Sequence, residues 1–294
     1  MISRVEWISF LVAIVTGFAG VLLVRARRPL PAAKVDAWAE RFGLELDDGE
    51  RKRVAAYLRR GRWWRTVGGT VPWLALTLLD VIAAAAFDRQ VEGSVRLAWL
   101  LIPAGYLTAA VLAEATTPRP RPGGVAGAAL TPRTLDGYLP RWVPAVLRAT
   151  ALGVAATGVI VLVMPIKPEG WVRHSAAALV TAGIAVVMAV VVEVVLRRVV
   201  ALPQPAVSDR ALALDTALRS ASIRTIAGAG IALLLHLLAT QVVRLGAANV
   251  SGTATFALFL LSPVLEGLAI GSWRDMARSG PHSGRARETA GPVA

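Results

Sequence analysis

The chain contains no cysteine, three histidines and three lysines in 294 residues. Without cysteine there are no disulfides, no thiolate metal centres and no cysteine nucleophile. His174, His236 and His282 are too scattered for a His-based metal centre, so no metal or other cofactor is expected. Charged residues are also sparse, at 17 %, which argues against disorder over most of the length, because disordered chains are rich in charge and poor in apolar residues. What the chain has is apolar mass. Hydrophobic residues make up 55 % before its 26 glycines are added, whereas soluble domains reach about 45–50 % with glycine included. The chain is therefore expected to be an all-α, polytopic membrane helical bundle.

A hydrocarbon core of about 30 Å needs about 20 apolar residues in helical form, because lipid leaves no unsatisfied backbone group unpunished. Seven stretches qualify: 7–24, 67–87, 95–113, 146–165, 174–196, 225–243 and 250–272. Short links between the second and third, and between the fourth and fifth, force antiparallel hairpins. Of the 32 Lys and Arg, 26 fall on one side if the N-terminus lies outside; Arg4, Arg89, Arg96, Lys167, Arg173 and Arg244 remain on the other. Basic loops stay on the cytoplasmic side, so the expected topology is N-out, C-in. The basic run Arg25 to Arg28 after the first stretch argues against a cleaved signal peptide and for an anchor helix. Seven of the nine Trp fall near predicted span ends, as headgroup-level aromatics do. The expected organisation is an anchor at 1–24, a cytoplasmic basic helical region at 25–66, a six-helix bundle of three hairpins at 67–272 and a disordered cytoplasmic tail at 273–294. With 29 Arg against 3 Lys in an Ala/Val/Gly-rich background, the chain reads as a bacterial cytoplasmic-membrane protein.

A weak internal period runs through the loops. Tyr57-Leu58-Arg59-Arg60 is echoed by Tyr138-Leu139-Pro140-Arg141, and faintly by Leu218-Arg219. Arg65, Arg148 and Arg224 each precede an outgoing stretch, and Glu114, Glu193 and Glu266 each end a returning one. Each unit would be a short cytoplasmic helix, a span outward and a span back, with its copies parallel about the membrane normal. Asp47 or Asp48, Thr131 before Pro132, and Ser208 offer N-cap oxygens for those helices. In the basic region, Val35, Trp38 and Phe42 share one helical face, and Val54, Leu58 and Gly61 share another. Two arrangements fit: an interfacial helix pressed on anionic headgroups, or a helical hairpin packed on the inner face of the bundle. Arg51, Lys52, Arg59, Arg60, Arg62, Arg65, Arg133, Arg141 and Arg210 form the candidate surface for lipid or a partner subunit. Basic residues lying between apolar segments do not make a nucleic-acid module.

Ionisable groups within the bilayer are costly and are functional candidates by default. Asp80 in the second stretch and His236 in the sixth lie at similar depths, so a contact between them would give a packing pair or a proton relay. Glu114, Glu193 and Glu266 would form either carboxylate–arginine pairs at the cytoplasmic ends or a cation-binding ring. There is no Walker A loop, His-Glu-x-x-His or Gly-x-Ser-x-Gly, and a retinal Schiff base is excluded because Lys34, Lys52 and Lys167 all lie outside the stretches. A carrier built of three two-span repeats lacks its Pro-x-acid-x-x-base motif here. The segments Ala56 to Arg60 and Trp64 to Gly68, echoed by Leu130 to Arg133 and Tyr138 to Trp142, resemble those of uncharacterised multi-pass membrane proteins of actinobacteria. That resemblance implies no catalytic activity, and some similar proteins accompany transporter systems. The expected function is thus a non-enzymatic scaffold or accessory membrane subunit; the alternative is a small transporter using Asp80 and His236.

Overall fold

The computed structural model describes residues 4–87, 94–117, 134–163, 168–202, 208–247 and 252–278. They are helical almost throughout: α1 Arg4–Arg27, α2 Ala32–Arg41, α3 Asp48–Phe87, α4 Ser94–Ala115, α5 Trp142–Val163, α6 Pro168–Ala201, α7 Asp209–Ala247 and α8 Gly252–Arg278. Among the described residues there is no strand. Each of the seven apolar stretches falls mainly within one of these helices. Among the described residues, three helical segments, Trp142–Val163, Ala176–Ala201 and Asp209–Leu245, are long and apolar enough to cross a membrane, and Leu101–Ala115 is a shorter apolar one.

Consecutive helices pack as hairpins, α3 on α4, α5 on α6 and α7 on α8. At the centre stands α7, which touches α4, α5, α6 and α8, while α1 leans on α3. Burial follows from this order: 78 % of the apolar stretch of α7 is enclosed, against 28 % for α5 and 22 % for α6. Ile223, Ile226, Ile231, Leu233 and Leu234 of α7 meet Leu147, Val154, Val192 and Leu196 of the surrounding pair in the main core. The outer faces of α5 and α6 present Leu152, Val159, Val163, Val180, Val187 and Val194 instead. A continuous apolar exterior of this kind is an aggregation hazard in water and the natural finish in lipid.

Four departures from the sequence expectations concern boundaries. In α3 and α7 the basic helix and the apolar stretch are one continuous rod of 40 and 39 residues, about 60 Å each at 1.5 Å per residue. In the middle unit, residues 134–141 form only a 3₁₀ turn at Leu135–Gly137, because Pro140 has no N–H to extend it; Thr131, Pro132 and Arg133 lie outside the described residues. Pro168 opens α6 at the position where a missing N–H does no harm, so residues 168–173 are helix rather than link. Finally, α8 continues to Arg278, which shortens the expected tail.

The basic region is the packed alternative of the two considered. Val35, Trp38 and Ala39 of α2 and Val54 of α3 are buried against Leu214 and Ala217 of α7, with Trp38 and Phe42 ring centroids 4.7 Å apart. A capping box starts α3: Glu50 N–H donates to Asp47 Oδ1 at 2.8 Å, and Asp47 N–H donates back to Glu50 Oε2 at 2.9 Å. Ser208 Oγ accepts from Ala211 N–H and starts α7 in the same way. Arg210 then ties the two helix starts together, donating from Nε to both Glu50 oxygens at 3.0 Å and from Nη2 to the Glu45 carbonyl at 2.8 Å. The Arg210 hydrogen bonds hold the Glu50 carboxyl below its ordinary range, against the opposing effect of burial. A carboxylate whose folded pKa is depressed stabilises the fold above its unfolded pKa and loses that effect as pH falls through the folded value. Thermal unfolding against pH should therefore show wild type ahead of Glu50→Gln by about 1 kcal/mol near neutrality. The gap should close as pH falls from the ordinary carboxylate range through the lowered folded value, and a gap that is constant with pH would refute the ion pair.

Candidate functional site

The polar residues gather at one end of the bundle, where α1, α4 and α6 finish and the basic halves of α3 and α7 project. Helix C-termini leave unpaired carbonyls, and cations complete them. Three arginines do so here. Arg62 of α3 donates from Nε to the Ala26 carbonyl of α1 at 3.2 Å and from Nη2 to the Arg28 carbonyl. Arg60 donates to the carbonyl and hydroxyl of Thr116, just past α4, at 2.8 and 3.0 Å. Arg219 of α7, fully buried, reaches the carbonyls of Val199, Val200 and Leu202 at the end of α6 at 2.7–3.1 Å, and pairs with Asp215 at 3.0 Å.

The three carboxylates expected at the ends of returning helices meet different partners, and only Glu114 stands at such an end: Glu193 lies eight residues before the end of α6, and Glu266 twelve before the end of α8, because both helices run on past them. Glu114 is buried and accepts from Tyr57 Oη at 3.0 Å and from Ser222 Oγ at 2.6 Å. Burial, followed by the charge of Glu114, pushes the Tyr57 phenol well above its ordinary range, so it remains a donor. Glu193 takes a two-pronged contact from Arg148, at 2.6 and 3.2 Å, and a longer one from Arg197. These three side chains line a cleft of about 510 Å³ on the α5–α6 face. Glu266 lies 2.6 Å from His236 Nδ1, across the α7–α8 hairpin. The expected Asp80–His236 pairing cannot be placed, because the Asp80 side chain lies outside the described residues. The partner of His236 that is described is Glu266.

The candidate surface arginines divide. Arg60, Arg62 and Arg210 serve the fold as described, Arg65 stands over the Trp273 ring at 5.9 Å, and Arg141 pairs with Asp136 at 3.3 Å. Lys52 and Arg59 are exposed, and so is Arg51, which reaches Asp36 at 3.2 Å. Arg133 lies outside the described residues. Beside Arg60 opens the larger cleft, about 980 Å³, between α1, α3 and α7 and the end of α4. Arg27, Arg53, Arg59 and Arg60 line it together with Trp63 and Asp215. Arg27 lies over Trp63 at 4.7 Å.

Sequence reasoning missed Arg219, Tyr57 and Ser222 as parts of this assembly. The signal for Arg219 was present, since Asp215 and Arg219 stand four residues apart on one helix and so share a face. No comparable signal joins Tyr57 and Ser222 to Glu114, because those contacts span 57 and 108 residues of chain. Comparisons with protein-family models, curated proteins and solved structures give no match.

Proposed function

We propose that the protein is a non-enzymatic scaffold or accessory subunit of a bacterial cytoplasmic membrane. It spans the bilayer seven times, with its N-terminus outside and its arginine-rich end inside, in the manner of the actinobacterial proteins it resembles. The observation that carries this proposal is the polar end itself, where Arg60, Arg62 and Arg219 complete the ends of α4, α1 and α6. Three chain directions that finish on one side beside the basic halves of α3 and α7 suit helices returning to the positive side of a membrane. A rival proposal is a small transporter using Asp80 and His236; it would need a polar cavity reaching His236, and neither cleft described above is lined by that residue.

The natural absence of cysteine makes the topology directly testable. Single cysteines at Arg51 and Ser279 should react with a membrane-impermeant maleimide only in inverted vesicles, and cysteines at Gln90 and Asn249 only in intact cells. The reverse pattern would defeat the orientation. Labelling of all four positions from one side would defeat the spans.

A further inference from the structure

We infer that the cleft between α1, α3, α4 and α7 binds a phosphate-bearing anion through Arg27, Arg53 and Arg59, with Arg60 behind them. Among the described residues none of these four arginines is paired with a carboxylate, although the same end of the bundle pairs Arg51, Arg141, Arg148, Arg210 and Arg219. The one carboxylate in the wall, Asp215, is already joined to Arg219. Arg60 also keeps its Nε shielded from water and without an acceptor among the described residues. Four like charges around one concavity repel each other and attract a multivalent anion, and guanidinium groups match phosphate oxygens in planar, two-pronged fashion. The volume, about 980 Å³, falls at the upper end of the roughly 300–1,000 Å³ usual for small-molecule sites, which leaves room for more than a bare phosphate.

The apolar part of the lining points to the size and source of the remainder. Ala26, Ala56, Trp63 and Leu218 accompany the arginines, and Trp63 and Arg27 sit where the apolar stretch of α1 ends. A glycerophosphate headgroup entering from the inner leaflet would set its phosphate among the arginines and its glycerol against Trp63. The lipid source rests on the membrane proposal above; the phosphate chemistry does not.

The test uses the full chain in mild detergent, titrated with short-chain phosphatidylglycerol, with phosphatidylcholine and with inorganic phosphate. Phosphatidylglycerol should bind saturably, and Arg53→Ala/Arg59→Ala should weaken it about thirtyfold. Arg51→Ala/Lys52→Ala, with the same loss of charge, should change it less than about threefold, because neither residue lines the cleft and solvent screens a charge that does not touch the ligand. All four positions are exposed, so both variants should melt with wild type, and a melt confirms that they do. Displacement of phosphatidylglycerol by inorganic phosphate at similar concentration assigns a soluble phosphate compound as the ligand. Displacement only by lipid assigns the headgroup. Equal losses in the two variants, or no binding of either phosphate probe, would overturn the site. A chain that stays dispersed without detergent would instead defeat the membrane proposal, with the inorganic phosphate titration still deciding the cleft.

Discussion

Arg219→Ala should destabilise the protein by about 3–5 kcal/mol, more than removal of any other arginine at this end. Its side chain is fully buried and makes three bonds to the end of α6 and one to Asp215. Truncation leaves three C-terminal carbonyls without their donor and a nearly buried carboxylate without its counter-charge. The bonds to Val199, Val200 and Asp215 are buried, so water makes good little of their loss. Exposed pairs such as Arg141–Asp136 should lose less than about 1 kcal/mol on the same change. Replacing Asp215 and Arg219 together with leucine should recover part of the loss, since a buried pair exchanged for apolar packing is often near neutral. Thermal unfolding in detergent reads both effects. An Arg219→Ala melt that overlays wild type would show that α6 does not depend on this cap.

The second large effect belongs to a residue with no side chain. Gly68→Leu should force α3 and α4 apart and cost about 3 kcal/mol or more. A Cβ at Gly68 would run into the Gly105 carbonyl and the Ala109 methyl, and one at Gly105 would run into the Gly68 carbonyl, so the two helices touch through their backbones. Backbone cannot step aside as a flexible side chain can, and even alanine here must displace a helix. Gly153 supplies the internal contrast: a Cβ there meets only Leu238 methyls at 3.8 and 3.9 Å, ordinary contacts. Gly153→Ala should therefore be within about 1 kcal/mol of wild type, and on the stable side if helix propensity prevails. Should Gly68→Leu and Gly153→Ala melt alike, the close approach of α3 and α4 would not be a feature of the folded protein.

The glycines also show where sequence pattern stops. Spacing of small residues marks Ala13 with Gly17 and Gly153 with Thr157 as contact surfaces, yet a Cβ on Gly17 would meet nothing within 4 Å. Small residues are necessary for close helices but do not say which faces meet. The same holds for the ionisable groups within the apolar stretches. Depth along a span can be counted from either end, so Asp80 and His236 could be placed at similar height. Which neighbour stands opposite His236 depends on the rotation of α7 against α8, and that rotation brings Glu266 to 2.6 Å. The second helix of each hairpin tells a similar story, since Glu114, Glu193 and Glu266 stand on α4, α6 and α8 and meet two hydroxyls, two arginines and an imidazole respectively.

Local and periodic features were legible because they depend only on neighbours along the chain. The helices, the hairpin order, the cap at Ser208 with a second at Asp47 or Asp48, and the gathering of arginine beside helix ends all follow from apolar length, capping oxygens and charge. Only the packed chain could decide that α7 stands in the middle, because hydropathy ranks α6 first and α7 last whereas burial runs the other way. Packing also chose which arginines were consumed in holding helix ends and which were left facing a cleft. Charge alone makes Arg53, Arg59, Arg62 and Arg219 equivalent, whereas burial and a carbonyl within 3 Å make one a structural cap and leave another open to a ligand.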